Sequence, residues 1–308
     1  MQYLLTFICS GFLLFAHAQA LPPTAATSPL LEFVSDTQEP MGVERIRLAA
    51  TQNKRATAMI YAAIVQDKPT AVFMLGDVVS LGYKQKKWGR TDVFLDSARK
   101  ENISVYGLMG NHDVMFRERR GEKNFNRRFP EHRYTGYLKV VDSIAVMMMN
   151  SNFAKLSPAE NLQQQEWYKK TMDSLTAAPA IKAIIVSCHH PAFTNSTIVK
   201  PSDGVRRQFV PAFLASAKAV LFITGHAHAF EHFVYNKKNF LVIGGGGGLH
   251  QPLSTKAAMP EDKALAYKPY FHYLQLRRYG NNLQLQSRGL QTDFSGFFNG
   301  YSFAIALP

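Results

Sequence analysis

The sequence predicts an α/β domain built on a mixed sheet or on two facing sheets. Short apolar runs alternate with helix-like runs through the first two-thirds of the chain, the pattern of βα units. Hairpin turn signals dominate the last third. Five of the apolar runs stop at Asp, Asn or His, at the strand ends where open α/β sheets carry their sites. With 308 residues, 46% of them hydrophobic, the chain is long enough to bury such a core.

In chain order, residues 1–20 read as a secretory signal. They carry no Asp, Glu, Lys or Arg, are apolar from Leu4 to Ala16, and offer small residues at Ala16, Ala18 and Ala20. The apolar stretch is short for a membrane span. Residues 21–30, with Pro22 and Pro23, read as a flexible leader, and 31–308 as a single domain. No transmembrane segment is expected after signal removal, and the expected location is periplasmic or secreted.

Leu31–Ser35 is a short strand followed by Asp36. Val43–Gln66 reads as helical, with an interruption near Thr51-Gln52-Asn53. Ala71–Leu75 is a strand closed by Gly76-Asp77, and Gln85–Glu101 a helix. The run from Ile103 to Met109 is a strand closed by Gly110-Asn111-His112-Asp113. Val114–Pro130 is basic and irregular, a loop with some helix. Tyr137–Val141 and Ile144–Met149 pair around Asp142-Ser143, and Ser157-Pro158-Ala159-Glu160 starts a helix running to about Leu175. Ile181–Cys188 is a strand followed by His189-His190-Pro191. Val205–Ala217 is helical, and Ala219–Ile223 is a strand closed by Gly225-His226-Ala227-His228. Phe233–Tyr235 and Phe240–Ile243 flank a turn at 236–239. Gly244–Gly248 suits close backbone packing or approach to a ligand. A hairpin around Gly280-Asn281 lies within Tyr270–Leu290, and Tyr301–Leu307 is a last strand.

Lys and Arg number 35 against 22 Asp and Glu, a net charge of +13 that favours anionic partners such as phosphorylated substrates. The basic residues are scattered and form no nucleic-acid module. The two cysteines are Cys9 and Cys188, so cleavage after residue 20 leaves one, a buried structural thiol.

One polar strand end carries little meaning. Five, with Asp36 and Gln38, Asp77, Asn111 and His112, His189, and His226 and His228, need partners at the edge of a core. A divalent metal is the economical partner. The mixed oxygen and nitrogen donors suit Mn²⁺, Fe or Zn²⁺ rather than a structural zinc. The donors exceed what one ion takes, so two ions sharing a carboxylate are expected, an arrangement suited to phosphoryl displacement.

Gly76-Asp77, Gly110-Asn111-His112-Asp113, His189-His190-Pro191 and Gly225-His226-Ala227-His228, in this order, resemble the calcineurin-like metallophosphoesterases. The last two motifs are similar to those of purple acid phosphatases. The resemblance spans roughly residues 32–248. It implies a four-layer α-β-β-α sandwich of two mixed sheets flanked by helices. It also implies an enzyme hydrolysing phosphate monoesters of small molecules by in-line attack of a metal-bound hydroxide, and the signal-like first 20 residues make it an exported one. Asp77 resembles the bridging carboxylate. Asp36, Gln38 and His228 would complete one metal, and Asn111, His189 and His226 the other. His112 resembles the histidine that protonates the leaving oxygen or holds the phosphate.

Three positions depart from the family pattern. The first motif, usually Asp-x-His, is Asp36-Thr37-Gln38, as in some members. Ser80 stands where members often have an Asp that orients the catalytic histidine, or the Tyr of the purple enzymes, so no iron–tyrosinate centre is expected. Leu81 replaces the phosphate-gripping arginine of protein phosphatases. A phosphodiesterase acting on cyclic nucleotides, nucleic-acid ends or lipid head groups is the alternative enzyme. A catalytically weak phosphate- or polyanion-binding protein is the alternative of another class. Outside the ligand set, His190 is expected in the pocket and Asp113 as a backbone acceptor. His132, His232 and His272 are expected as surface or satisfied core residues, and Met147–Met149, Trp167 and Tyr168 as core.

Overall fold

A computed structural model describes residues 28–46, 48–254 and 260–308. The expected signal segment 1–20, Cys9 and most of the 21–30 leader lie outside the described residues. Ser28 is described: the Arg277 guanidinium donates to its carbonyl at 2.6 Å, and the first strand begins at Leu30.

Two six-stranded sheets face each other. In the first, β1 (Leu30–Val34), β2 (Ala71–Leu75) and β3 (Ser104–Leu108) run parallel. On the other side of β1 come β10 (His272–Tyr279), β11 (Asn282–Leu290) and β12 (Phe297–Ala306), each antiparallel to its neighbour. The order is β12-β11-β10-β1-β2-β3. In the second sheet, β5 (Ile144–Met148), β6 (Ala183–Ser187), β7 (Ala219–Thr224) and β9 (Lys238–Ile243) are parallel. Antiparallel β4 (Tyr137–Val141) and β8 (Phe230–Tyr235) close its edges.

Alternation along the strands sorts side chains into three apolar layers. Leu31 and Phe33 of β1, Val146 and Met148 of β5, and Leu274 and Leu276 of β10 fill the space between the sheets. Val34, Val72 and Met74 point the other way, onto α1 (Asn53–Asp67) and α2 (Gly89–Lys100). Met147 and Met149 meet α4 (Pro158–Ala177), α5 (Asp203–Gln208) and α6 (Val210–Ala215). The result is the expected four-layer sandwich, with the methionine triplet split between two cores. Cys188 is buried and free, and burial pushes its thiol up. No described helix is long and apolar enough to cross a membrane.

Several boundaries move. The expected helix 43–66 resolves into a 3-10 turn at Glu44–Ile46 and α1, divided where the interruption was expected. The expected helix 205–217 is two helices. Pro211 in the first turn of α6 has no N–H to give and crowds the preceding turn, so the chain restarts there. The helix expected within the basic stretch after Val114 is α3 (Glu118–Asn126). The start of α4 is a capping box: Ser157 Oγ accepts from the Glu160 N–H, and the Glu160 carboxylate accepts from the Ser157 N–H.

Candidate metal centre

The C-terminal ends of the parallel strands of both sheets converge on one place. Asp36 follows β1, Asp77 follows β2, Asn111 and His112 follow β3, His189 follows β6, and His226 and His228 follow β7. Three of these residues have left-handed backbones: Asp36 (φ 61°), Asp77 (φ 49°) and His226 (φ 68°). That conformation costs a non-glycine residue roughly 1–3 kcal/mol and concentrates at functional sites. Main-chain bonds hold it: Asp36 N–H donates to the Gly76 carbonyl at 3.0 Å and Gln38 N–H to the Asp77 carbonyl at 3.1 Å.

The side chains of the expected ligand set come together. His189 Nε2 lies 3.2 Å from Asp77 Oδ2 and 3.2 Å from Asn111 Oδ1, while its Nδ1 is tied to the Leu75 carbonyl at 2.9 Å. His228 Nε2 lies 3.4 Å from Asp36 Oδ1, with Nδ1 tied to the Leu249 carbonyl at 2.7 Å. In both histidines the backbone takes the outer nitrogen and leaves Nε2 facing inward, the tautomer a metal needs. The Gln38 amide lies 3.3 Å from His228 Nε2, and its hydrogen bonds are satisfied when its nitrogen donates to the carbonyls of Asp77 (2.9 Å) and Asp36 (3.1 Å) and its oxygen faces His228. The His226 ring centroid is 5.0 Å from that of His189, and its N–H donates to Asp36 Oδ2 at 2.9 Å.

The donor set fits divalent cations. Single donor atoms of Asp36, Asp77 and His189 lie within 4.8 Å of one another, as do those of His189, His190 and His226. Asp36 is fully buried, yet its Oδ1 has no hydrogen-bond partner, a costly omission unless a cation takes that oxygen. The electrostatics agree. Burial opposes ionisation of Asp77, but the imidazoles of His189 and His112 hold its carboxyl well below the usual range. Burial likewise opposes charge on His189, yet Asp77 and Asp36 raise it to about 9, so the carboxylates draw positive charge onto the point where Nε2 faces them. His226 is pushed far down by burial and by the neighbouring His190 and His189.

His112 is the inward-facing group outside the ligand set. Its N–H donates to Asp77 Oδ1 at 2.8 Å, and its Nε2 lies 3.8 Å from Asp77 Oδ2. What orients the ring is the main-chain carbonyl of Ser80, 3.2 Å from Nδ1. The Ser80 side chain takes no part; its buried Oγ has no hydrogen-bond partner. Asp113 accepts from the N–H groups of Gly110 (2.9 Å), Val79 (3.2 Å) and Val78 (3.3 Å), fastening the β2 and β3 loops together as expected. Gly110 lies so near Asp77 that a Cβ there would sit 2.1 Å from Asp77 Oδ1. The glycine run wraps the first motif: Gly246 N–H donates to the Ser35 carbonyl (2.9 Å) and Gly248 N–H to the Asp36 carbonyl (2.8 Å).

Two residues join the site that sequence reasoning passed over. Ser151 Oγ lies 2.8 Å from His190 Nδ1 and accepts from the His190 N–H at 3.0 Å, which sets the ring 4.5 Å from that of His226. Its signal was legible, because Asn150-Ser151-Asn152 is one more polar end after an apolar strand. Glu44 brings Oε1 to 3.9 Å from His112 Nε2. Among the residues read as bystanders, His132 and His232 are buried and hydrogen-bonded, to Asn126 and to Tyr301 and Asn239. His272 differs: it is fully buried with neither ring nitrogen partnered, and burial pushes it down to about 3, so it is a neutral core residue.

Comparison with known proteins adds the following. No curated protein sequence matches the chain. Among solved structures, a purple acid phosphatase from yellow lupin seeds superposes with a TM-score of 0.66 at 14% identity, over 91% of this chain and 54% of that one. The chain thus spans about half the length of the lupin protein. GAP50, the anchor in the inner membrane complex of Plasmodium, superposes with a TM-score of 0.62 at 13% identity, covering 91% of this chain and 89% of its own. A dimetal phosphatase from Danio rerio gives 0.51 at 10% identity, covering 91% and 100%. At these identities the likeness is one of fold. The sequence profile of the calcineurin-like phosphoesterases matches residues 33–230, a stretch that runs from β1 through the last histidine of the site. The chain therefore belongs to the calcineurin-like phosphoesterase family of hydrolases that act on phosphoesters.

Proposed function

We propose that the protein is an exported phosphomonoesterase that works with two divalent metal ions on small phosphorylated molecules. The observation that carries this reading is the convergence of Asp36, Gln38, Asp77, Asn111, His189, His226 and His228 around an orphaned Asp36 oxygen, with His112 Nε2 facing the same space. Asp77 offers an oxygen within 4.8 Å of donor atoms of both Asp36 and His189, one from each expected ligand set, and would serve both ions. When bound, such ions activate the attacking water and neutralise phosphoryl charge.

The chain's own residues do the rest. The strand ends hold the donors before substrate arrives, so little reorganisation accompanies reaction. His112, with Nδ1 held by Ser80, keeps Nε2 free to hold a proton for the leaving alcohol or to bond a phosphoryl oxygen. Export rests on the uncharged apolar segment at residues 4–16 and the small residues before position 21. Monoester preference rests on the likeness of the last two motifs to those of purple acid phosphatases.

Asp77→Asn and His226→Ala should each lower kcat/KM on a chromogenic phosphomonoester by about a hundredfold or more with Mn²⁺ added, with metal content falling in parallel. Full activity in both variants would sink the mechanism. A higher kcat/KM on the matched diester than on the monoester would move the assignment to a phosphodiesterase.

A further inference from the structure

Around the turn at Glu44–Ile46 the acid lies inward while its apolar neighbours lie outward. The apolar side chains face solvent, Val43 at 64% and Ile46 at 80% exposure, while the side chain of Glu44 is only 21% exposed and points inward. Burial alone selects the opposite arrangement. The carboxylate is also fixed. Oε2 accepts from the Met41 N–H at 2.5 Å, which leaves Oε1 directed at His112. The stretch leading to it is anchored by Glu39, which meets Lys87 at 3.2 Å, Lys54 at 3.4 Å and Arg90 at 3.5 Å. Those cations are thereby engaged away from Glu44.

The separation of 3.9 Å between Glu44 Oε1 and His112 Nε2 is too long for a hydrogen bond and short enough for one substrate to contact both. His112 Nδ1 is occupied, so Nε2 is the nitrogen that meets substrate. A leaving alcohol bonded to Nε2 therefore has a carboxylate oxygen beside it. We propose that Glu44 is a specificity-determining residue. It favours phosphate monoesters whose alcohol carries a hydrogen-bond donor, a hydroxyl or an ammonium, close to the ester oxygen, and it disfavours those whose alcohol is anionic. The proposal rests on the phosphomonoesterase reading. It accounts for an acid at the mouth of a site that otherwise attracts anions in a chain of charge +13.

The test compares 2-aminoethyl phosphate with carboxymethyl phosphate in the wild type, E44Q and E44K. The ratio of their kcat/KM values within each protein cancels any general loss of folding or metal. That ratio should favour the aminoethyl ester in the wild type, fall about tenfold in E44Q and further in E44K. The unreactive analogues 3-aminopropylphosphonate and 3-phosphonopropionate, titrated calorimetrically into the metal-loaded proteins, should show the same movement in their Kd ratio. Ratios that stay within about twofold of wild type in both variants overturn the role of Glu44. A Kd ratio that moves while none of the esters is turned over retains Glu44 and removes the hydrolytic reading instead.

Discussion

Glu231 follows the last histidine of the candidate site and holds a loop. It is fully buried, accepts from Thr194 Oγ1 at 2.6 Å and the Asn195 N–H at 2.7 Å, and so clamps the chain after His190-Pro191. Burial raises its carboxyl to about 7 against those two bonds, with Asp262 adding to the rise. Between its ordinary value and about 7 the folded state therefore binds a proton that the unfolded state has released. Its contribution is greatest in acid and is lost as pH rises through that window. The stability of the wild type relative to Glu231→Gln should fall by about 2–3 kcal/mol between about pH 5 and pH 7.5, read from urea unfolding at the two pH values. A constant difference would show that Glu231 is ionised throughout.

The expected ligand residues were legible as a set, because a single Asp, Asn or His at the end of an apolar strand says little while five such ends in one chain are costly without a partner. Glu44 was not, since it sits in an Ala- and Arg-rich run that resembles helix. Nor was the group that orients His112: the Ser80 carbonyl belongs to the main chain, and every residue type supplies one.

At the scale of elements, the β2 and β3 loops behave as one unit. Asp113 bonds both of them, and Gly110 lets them touch. Gly110→Ala would place a methyl 2.3 Å from Asp77 N and 2.1 Å from Oδ1, so the β2 loop must move. We expect a loss of roughly 1–3 kcal/mol in stability, and a loss of Mn²⁺ affinity out of proportion to it because Asp77 is displaced. Calorimetric titration beside urea unfolding checks both; unchanged affinity would show that the loops are independent. Element identity was readable throughout, and boundaries failed where local signals conflict. Pro211 divided the expected helix 205–217. The last strand begins at Phe297, four residues earlier than expected, because pairing with β11 outweighs the turn-like Asn299-Gly300.

Across the whole molecule, the two sheets meet in the apolar space between them, at the Arg278–Asp142 ion pair and at the site at their joined strand ends. Cations held there would connect the sheets and bind the folded chain alone, so they would stabilise it by mass action. Mn²⁺ at a hundred times its Kd should raise the melting temperature by about 5–10 °C over chelator-treated protein. A double variant, Asp36→Asn with Asp77→Asn, should show almost none of that rise. A rise of the same size in the double variant would place the stabilising ions elsewhere. The layer order of the molecule was legible only in part. Alternating runs specify strands and helices, whereas the division into two facing sheets depends on long-range pairing that no local run records.

The pairing of β1 with β10 joins the start of the domain to a strand some 240 residues later. During synthesis, β1 can pair with β2 early, but its other edge stays bare until β10 leaves the ribosome. The strand that carries Asp36 is thus an open edge through most of translation, and the final hairpins act as its closing clasp. The geometry at Asp36 would then be among the last things the chain acquires, and a chain cut short before residue 272 would present a sheet ready to pair with a neighbouring chain.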